Sequence, residues 1–473
     1  MSDLRTTNAF QDEITVFTIP NTLVKTESLS PYAEALRHIF FAQRAAGQLS
    51  SLANTKPSAI KDVGIVGGGT LGAGIVAAFL DGGFDVKLVE QSTKALAAGM
   101  KRIESIFTRK LQSGQLTQSG ILERLRRLTT ACDIHSLRGC ELVVEAVPED
   151  IAVKVALVAH LSDVLHPNAM IATSTSYLDI DEIALASERP GNVCGLHFFN
   201  PVNVVNLLEV VRSSVSTPRT LATALMIAER LEKVPVVSKC SFGFIGNRIF
   251  ASYRLQAEYL LEEGADVAQV DSAMEAFGFA MGPFAAVDSS GLDASWQARN
   301  ASSDARDPGI RYVRIPDLLY AAGRWGLKTG AGYYQYEGTE RKVDPYVEAV
   351  VRQERAFSKL AVKSFTFEEI QQRLLLAIVS EAALILAEKV AQQSSDIDVV
   401  LVNGYGFPRW EGGPMFWASR KDLAYLEDGL KRLTRASPGI KVATISQIKL
   451  TSKMESTPKT KLRNTRQQME FGH

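Results

Sequence analysis

The chain has 473 residues, with 52 lysines and arginines against 52 aspartates and glutamates and an isoelectric point near 7.0. One hydrophobic core does not grow to that length, so two to four domains are expected. Zero net charge removes any global electrostatic case for nucleic acid or anionic lipid as a partner. Apolar content of 46% and charged content of 22% fit an ordinary globular enzyme. Cys132, Cys140, Cys194 and Cys240 make no CxxC pair and read as reduced core thiols of a cytosol-like compartment.

The opening MSDLRTTNAF lacks a basic stretch followed by an apolar one, so no secretory leader is expected, and residues 1–30 are polar with weak periodicity. SPYAEALRHIFFAQRAAGQ (30–48) begins with a Ser-Pro signal and repeats apolar residues at helical spacing, which predicts a helix. From residue 60 to about 212 short β-branched runs alternate with helical stretches such as 92–112 and 150–164, and VPVVSK (234–239) adds a strand. That alternation predicts βαβ units and a largely parallel sheet. Val63 to Leu80 carries no charge and is long enough to test as a membrane span. Six of its residues are glycine, so a strand, a turn and a helix are expected instead.

Within that segment Gly67-x-Gly69-x-x-Gly72 follows a strand and enters a helix. The first glycine permits a tight turn, the second lets backbone approach a pyrophosphate, and the third packs helix on strand. The next strand, DVKLVE, ends in Glu90, where an acid accepts from a ribose diol and repels a 2′-phosphate. NAD rather than NADP is the expected cofactor. ELVVEAVPED then puts Glu145 and Glu149 at a strand's carboxyl end, with Lys154 one turn into the following helix. These residues lie near the ligand crevice by geometry, though helix capping by Glu149 and Asp150 accounts for the acids equally well.

GLHFFNPVNVVNLLEVV (195–211) sets His197 and Glu209 in strands that read as buried on both faces. A carboxylate there is costly unless paired. The Asn200-Pro201 turn can return LLEVV alongside His197, and an imidazole held by a carboxylate has a fixed tautomer suited to taking a hydroxyl proton. The other five histidines (38, 135, 160, 166, 473) lie in helical or polar stretches with no such partner in view. No metal site is expected.

After Cys240 the pattern becomes helical, in FIGNRIFASYRLQAEYLLEEG, DVAQVDSAMEAFGF and EEIQQRLLLAIVSEAALILAEKV. Residues 337–363 are charged and predict a connecting helix. Two stretches echo one another: each runs long helix, acidic turn, a Val270-Asp271 or Ile397-Asp398 pair, then GF and GP. Internal duplication follows. Residues 451–473 are polar and predict a frayed tail.

GLHFFNP with LLEV, VVEAVPE, FGFIGNR, MGPF and GLKTGAGYYQY, in this order after the glycine loop, resemble the L-3-hydroxyacyl-CoA dehydrogenases. NGYGFPRWEGGPMF and the duplicated helical part are similar to peroxisomal-type multifunctional β-oxidation enzymes, and the resemblance covers roughly residues 31–445. It implies NAD-dependent oxidation of an (S)-3-hydroxyacyl-CoA thioester, with His197 as base and Glu209 orienting it. It further implies that Ser176 and Asn247 hydrogen-bond the substrate oxygen, and that Glu149 and Lys154 stand near nicotinamide and CoA. Residue by residue the alternatives are an Asn247 that caps its helix and a Ser176 that ends a strand. Where the family has Asn-Thr-Ser this chain has Ser174-Thr175-Ser176, and the shorter side chain at 174 predicts a looser loop around Ser176, with a consequence for rate rather than reaction type. Competing functions are a non-catalytic NAD-binding relative and a dehydrogenase of another hydroxy acid.

The expected architecture is an α/β Rossmann-type NAD-binding domain followed by duplicated all-α C-terminal domains. The divisions are an extension with linker helix (1–57), the NAD-binding domain (58–239), a first helical domain (240–336), the connecting helix (337–363), a second helical domain (364–450) and a tail (451–473). The stretch 30–48 resembles the helix that joins hydratase to dehydrogenase in the multifunctional enzymes, and residues 1–57 are too few for a hydratase. A monomer is expected, because a second helical copy can cover the face that short dehydrogenases bury in a dimer, and no membrane span is expected. A cytoplasmic location of bacterial type is expected, with a peroxisome as the alternative although no C-terminal Ser-Lys-Leu-type signal is present.

Overall fold

The computed structural model describes residues 30–301, 307–338 and 340–453. The expected loose segment 1–30 lies almost wholly outside the described residues, as does most of 451–473. The Ser-Pro signal starts α1 (Pro31–Ala45): Ser30 Oγ accepts from the Ala33 amide at 3.2 Å, and Pro31 has no N–H to leave unpaired.

Eight strands form one sheet: β1 (Asp62–Val66), β2 (Asp85–Val89), β3 (Leu128–Ala131), β4 (Leu142–Glu145), β5 (Met170–Thr173), β6 (Val193–Phe198), β7 (Leu207–Arg212) and β8 (Val234–Lys239). Their order is β3-β2-β1-β4-β5-β6-β7-β8, parallel throughout except where β7 turns back against β6. The connecting helices are α2 (Thr70–Asp81), α3 (Thr93–Gln112), α4 (Gln118–Arg126), α5 (Ile151–Val164), α6 (Ile180–Leu185) and α7 (Pro218–Arg230). Strand order reverses between β1 and β4, which opens a crevice at the carboxyl ends of these strands. The uncharged stretch from Val63 to Leu80 divides into β1, the glycine turn and α2, and its apolar residues belong to the sheet's core.

The helical half comprises α8 (Gly246–Glu263), α9 (Val267–Phe277), α10 (Pro283–Ser290), α11 (Leu292–Ala301) and α12 (Ile315–Ala321). A short antiparallel hairpin follows, β9 (Gln335–Glu337) with β10 (Glu340–Lys342), then α13 (Pro345–Ser358). The charged stretch 337–363 is therefore part hairpin and part helix, because its helical periodicity begins only at Pro345. The chain continues through α14 (Phe367–Ala387), α15 (Ser394–Gly404), α16 (Pro414–Ser419), α17 (Leu423–Ala436) and α18 (Ile445–Lys453), the last running three residues into the expected tail.

The echo in sequence has a counterpart in structure. Asp271 accepts the amides of Phe284 and Ala285, both at 2.9 Å, at the start of α10 behind Gly282-Pro283. Asp398 does the same for Met415 at 2.7 Å and Phe416 at the start of α16 behind Gly413-Pro414. In each repeat a buried carboxylate satisfies orphan N–H groups of a short helix. The two repeats share one hydrophobic core, which also takes in Ile39 of α1 and Leu207 of β7. At its centre α14 packs against α8 and α9. By length and composition α14 could cross a bilayer, but 67% of its apolar window is buried inside the protein, as for a core helix.

Two expectations are corrected here. His38 does have a carboxylate partner: its Nε2 lies 2.9 Å from Oδ2 of the fully buried Asp398, a pairing 360 residues apart that no local pattern reveals. Cys132 is exposed rather than in the core, since it follows the short, half-open edge strand β3.

Candidate active site

The carboxyl ends of β1, β4, β5 and β6 lie along one edge of the sheet, and every sequence-predicted site residue of the Rossmann part sits on or just past that edge. Gly67 leaves β1 with φ +99°, a conformation that favours glycine, and a Cβ there would stand 2.7 Å from the Ala146 carbonyl. Gly72 packs still more tightly, a Cβ there overlapping the Gly67 carbonyl. Gly69 is different: it N-caps α2 without any side-chain cap, and a Cβ on it would meet nothing within 4 Å. The turn is therefore open beside Gly69, where α2 begins, which fits the pyrophosphate of a dinucleotide at a helix N-terminus. Glu90 follows β2 and accepts the Gly68 amide at 2.6 Å through Oε1. Besides any ribose it meets, it braces the glycine turn.

At the ends of β4 and β5 lies a closed polar network. Lys154 is 1% exposed and donates to both oxygens of Glu145 at 2.9 Å and to the Val147 carbonyl at 3.3 Å. Its ammonium thus points at interior acceptors rather than at an open CoA-binding face, because a buried cation is tolerated only when fully paired. Helix capping falls to Asp150 alone, which accepts from Val153 at 3.0 Å. Glu149 instead reaches the loop after β5, accepting from Thr175 Oγ1 at 2.6 Å and from the amides of Ser176 and Tyr177 at 2.8 and 3.1 Å. Ser174, the departure from the family pattern, donates to the Glu145 carbonyl at 2.8 Å, so this loop is tied down from both sides.

His197 and Glu209 are register partners across β6 and β7, with Nδ1 2.6 Å from Oε2. Their exposures are 3% and 0%. The other Glu209 oxygen accepts the amides of Ile245 and Gly246 at 3.1 Å each, where α8 begins. Those amides and the positive end of the helix stabilise the buried charge. Phe199 and Phe244 flank the imidazole at ring-centroid distances of 4.4 and 5.4 Å.

Asn247 does not cap α8. Its Nδ2 faces the Ser176 carbonyl at 3.4 Å, and its Oδ1 accepts from Tyr405 Oη at 2.8 Å. Ser176 and Asn247 are thus brought together, beside the loop that Glu149 holds. Tyr405 ends α15 and belongs to the second repeat. Sequence reasoning missed it, and the only available signal was its place before Gly406-Phe407, matching Phe277 before Gly278-Phe279. Burial pushes its hydroxyl well above the ordinary tyrosine value, so it stays a donor.

The families "3-hydroxyacyl-CoA dehydrogenase, NAD binding domain" and "3-hydroxyacyl-CoA dehydrogenase, C-terminal domain" match residues 62–241 and 243–336. The chain is 38% identical over 432 residues to the peroxisomal bifunctional enzyme of Homo sapiens, covering 87% of this chain and 59% of that protein. It is 31% identical over 413 residues to the peroxisomal fatty acid beta-oxidation multifunctional protein of Oryza sativa subsp. japonica, covering 86% and 57% respectively. The chain thus spans under two thirds of the length of these relatives. Among solved structures, M. tuberculosis FadB2 is 34% identical with a TM-score of 0.57, covering 59% of this chain and 100% of that one. The dehydrogenase part of multifunctional enzyme 1 from C. elegans is 26% identical with a TM-score of 0.62, covering 89% and 99%. The chain belongs to the 3-hydroxyacyl-CoA dehydrogenase family, with its NAD-binding domain at residues 62–241.

Proposed function

We propose that the chain catalyses NAD-dependent oxidation of (S)-3-hydroxyacyl-CoA to 3-ketoacyl-CoA, the hydroxyl proton passing to His197. The observation that carries this reading is the buried His197–Glu209 pair, clamped by the first amides of α8 on the strand edge that also bears the glycine turn. A carboxylate only accepts, so Nδ1 of neutral His197 carries the proton and donates the hydrogen bond to Glu209, and Nε2 keeps a lone pair for the substrate hydroxyl. Once Nε2 is protonated, Glu209 stabilises the imidazolium. Ser176 and the Asn247 amide hold the reacting oxygen. Gly67, Gly69 and Gly72 shape the turn, the α2 amides bind the pyrophosphate, and Glu90 accepts from the adenosine ribose. When bound, NAD supplies the hydride acceptor. Glu149 and Lys154 act at one remove: Glu149 holds the Ser176 loop, and Lys154 Nζ stands 3.6 Å from Glu149 Oε2.

The acyl-CoA thioester is the assigned substrate, and 58–239, 240–336 and 364–450 are the assigned working divisions of a monomer. Four free cysteines suit a reducing compartment such as the cytoplasm. The test is NADH consumption with short, medium and long 3-ketoacyl-CoA esters. Turnover that requires His197 supports the reading, and an inactive wild-type chain overturns it.

A further inference from the structure

We propose that Tyr405 is a positioning residue of this active site: the second helical repeat supplies the hydroxyl that fixes which way the Asn247 carboxamide faces. The inference rests on the assignment of Asn247 as a donor to the substrate oxygen. Tyr405 Oη stands 2.8 Å from Asn247 Oδ1, and the Ser176 carbonyl stands 3.4 Å from Nδ2. A carbonyl only accepts, so the amide edge beside Ser176 must be the NH₂ group. The opposite edge is then the oxygen, and it needs a donor. Tyr405 is that donor. With the oxygen satisfied, one N–H of Asn247 leans on Ser176 and the other is left for the substrate. Without it, Oδ1 loses that donor in a partly buried position, and the amide gains by leaving its rotamer.

The tyrosine ring touches the rest of the site as well. A Cβ on Gly246 would run into it, and the Gly246 amide is one of the two that hold Glu209. Phe199, which flanks His197, lies 5.6 Å from the Tyr405 ring, and Phe250 lies 5.7 Å from it. In the first repeat the matching residue is Phe277, which also precedes a Gly-Phe pair and packs against Phe407 at 5.8 Å. The repeat therefore folds around a bare phenyl ring at this place. The hydroxyl is what the second copy adds, and it is directed at the first copy's Asn247.

The test uses the full chain with NADH and acetoacetyl-CoA. Tyr405→Phe keeps the ring and removes only the donor. It should lower kcat by roughly ten- to a hundredfold, the scale of a misplaced contact, while the KM for NADH and the thermal midpoint stay at wild-type values. Asn247→Ala combined with Tyr405→Phe should be no slower than Asn247→Ala alone, because both act through one hydrogen bond. A Tyr405→Phe kcat equal to wild type, a drop in midpoint with kcat unchanged, or additive losses in the double variant would each overturn the proposal. An active wild type with an unaffected Tyr405→Phe sinks only this inference. An inactive wild type sinks the dehydrogenase reading beneath it.

Discussion

Glu209 meets His197 across two antiparallel strands and is held on its far side by the start of a helix from the next part of the chain. The His197–Glu209 pair thus spans the seam between sheet and helices. A shift of α8 would loosen Glu209 first and His197 through it. That explains a carboxylate in the middle of LLEVV: its two oxygens take three hydrogen bonds, so its burial is compensated.

His197→Gln should lower kcat by about 10²- to 10⁴-fold, the usual loss when a general acid–base is removed, with little change in NADH affinity. Glu209→Gln should approach the same loss, since it keeps the shape but cannot balance an imidazolium. Steady-state kinetics check both. Near-normal turnover in the histidine variant is incompatible with the proposed chemistry.

The proposed reading assigns cofactor choice to Glu90, which accepts the Gly68 amide in the glycine turn. NADH should be strongly preferred over NADPH, because a carboxylate repels a 2′-phosphate. Glu90→Gln should narrow that preference and also weaken NADH binding, since the Gly68 amide loses a charged acceptor. Comparing kcat/KM with both nucleotides decides it, and equal values in the wild type would mean Glu90 does not face the ribose.

Glu262 gives a prediction about stability. Burial raises its carboxyl from the ordinary 4.5 to about 7, opposed by Arg311, whose Nε lies 3.1 Å away, and assisted by the nearby charges of Glu354, Glu258 and Glu263. A raised carboxyl favours the protonated folded state, so this group's contribution is complete below pH 4.5 and is lost as pH rises to about 7. Glu262→Gln removes the ionisation. Relative to wild type it should therefore be more stable at pH 8, on the order of 1 kcal/mol, and no different at pH 4.5. Thermal midpoints at the two pH values test the sign, and a variant less stable at pH 8 would show that the Arg311 pairing outweighs desolvation.

The parts of the site that were legible in sequence are those carried by short, contiguous runs. The glycine turn, Glu90, and the pairing of His197 with Glu209 follow from strand–turn–strand spacing, because neighbouring strands fix register locally. The contacts of Lys154 were not legible, since a helix position one turn beyond a strand can face either the crevice or the interior. Asp398 beneath His38 and Tyr405 beside Asn247 are pairings of sequence-distant residues, set by how the second repeat docks. The duplication itself could be read, because Asp271 and Asp398 perform one local task twice. What the second copy contributes to the first copy's site could not.

The same docking leads to the last prediction. α14 buries twelve residues, among them Ile370, Leu374, Leu376, Ile378 and Ile385, against a core shared with α8 and α9. Each fully buried leucine or isoleucine is worth about 1.5–3 kcal/mol, so removing this helix uncovers a strongly adhesive face on α8. If the second copy stands where short dehydrogenases place a partner, the whole chain should run as a 51.6 kDa monomer. Truncation before residue 364 should then give a dimer or an aggregate, and should also slow any remaining turnover, since Tyr405 leaves with the second repeat. Light scattering on gel-filtration peaks of both proteins is the measurement. A stable species of twice the mass for the whole chain, or a soluble monomer after truncation, would show that α14 does not take the place of a partner subunit.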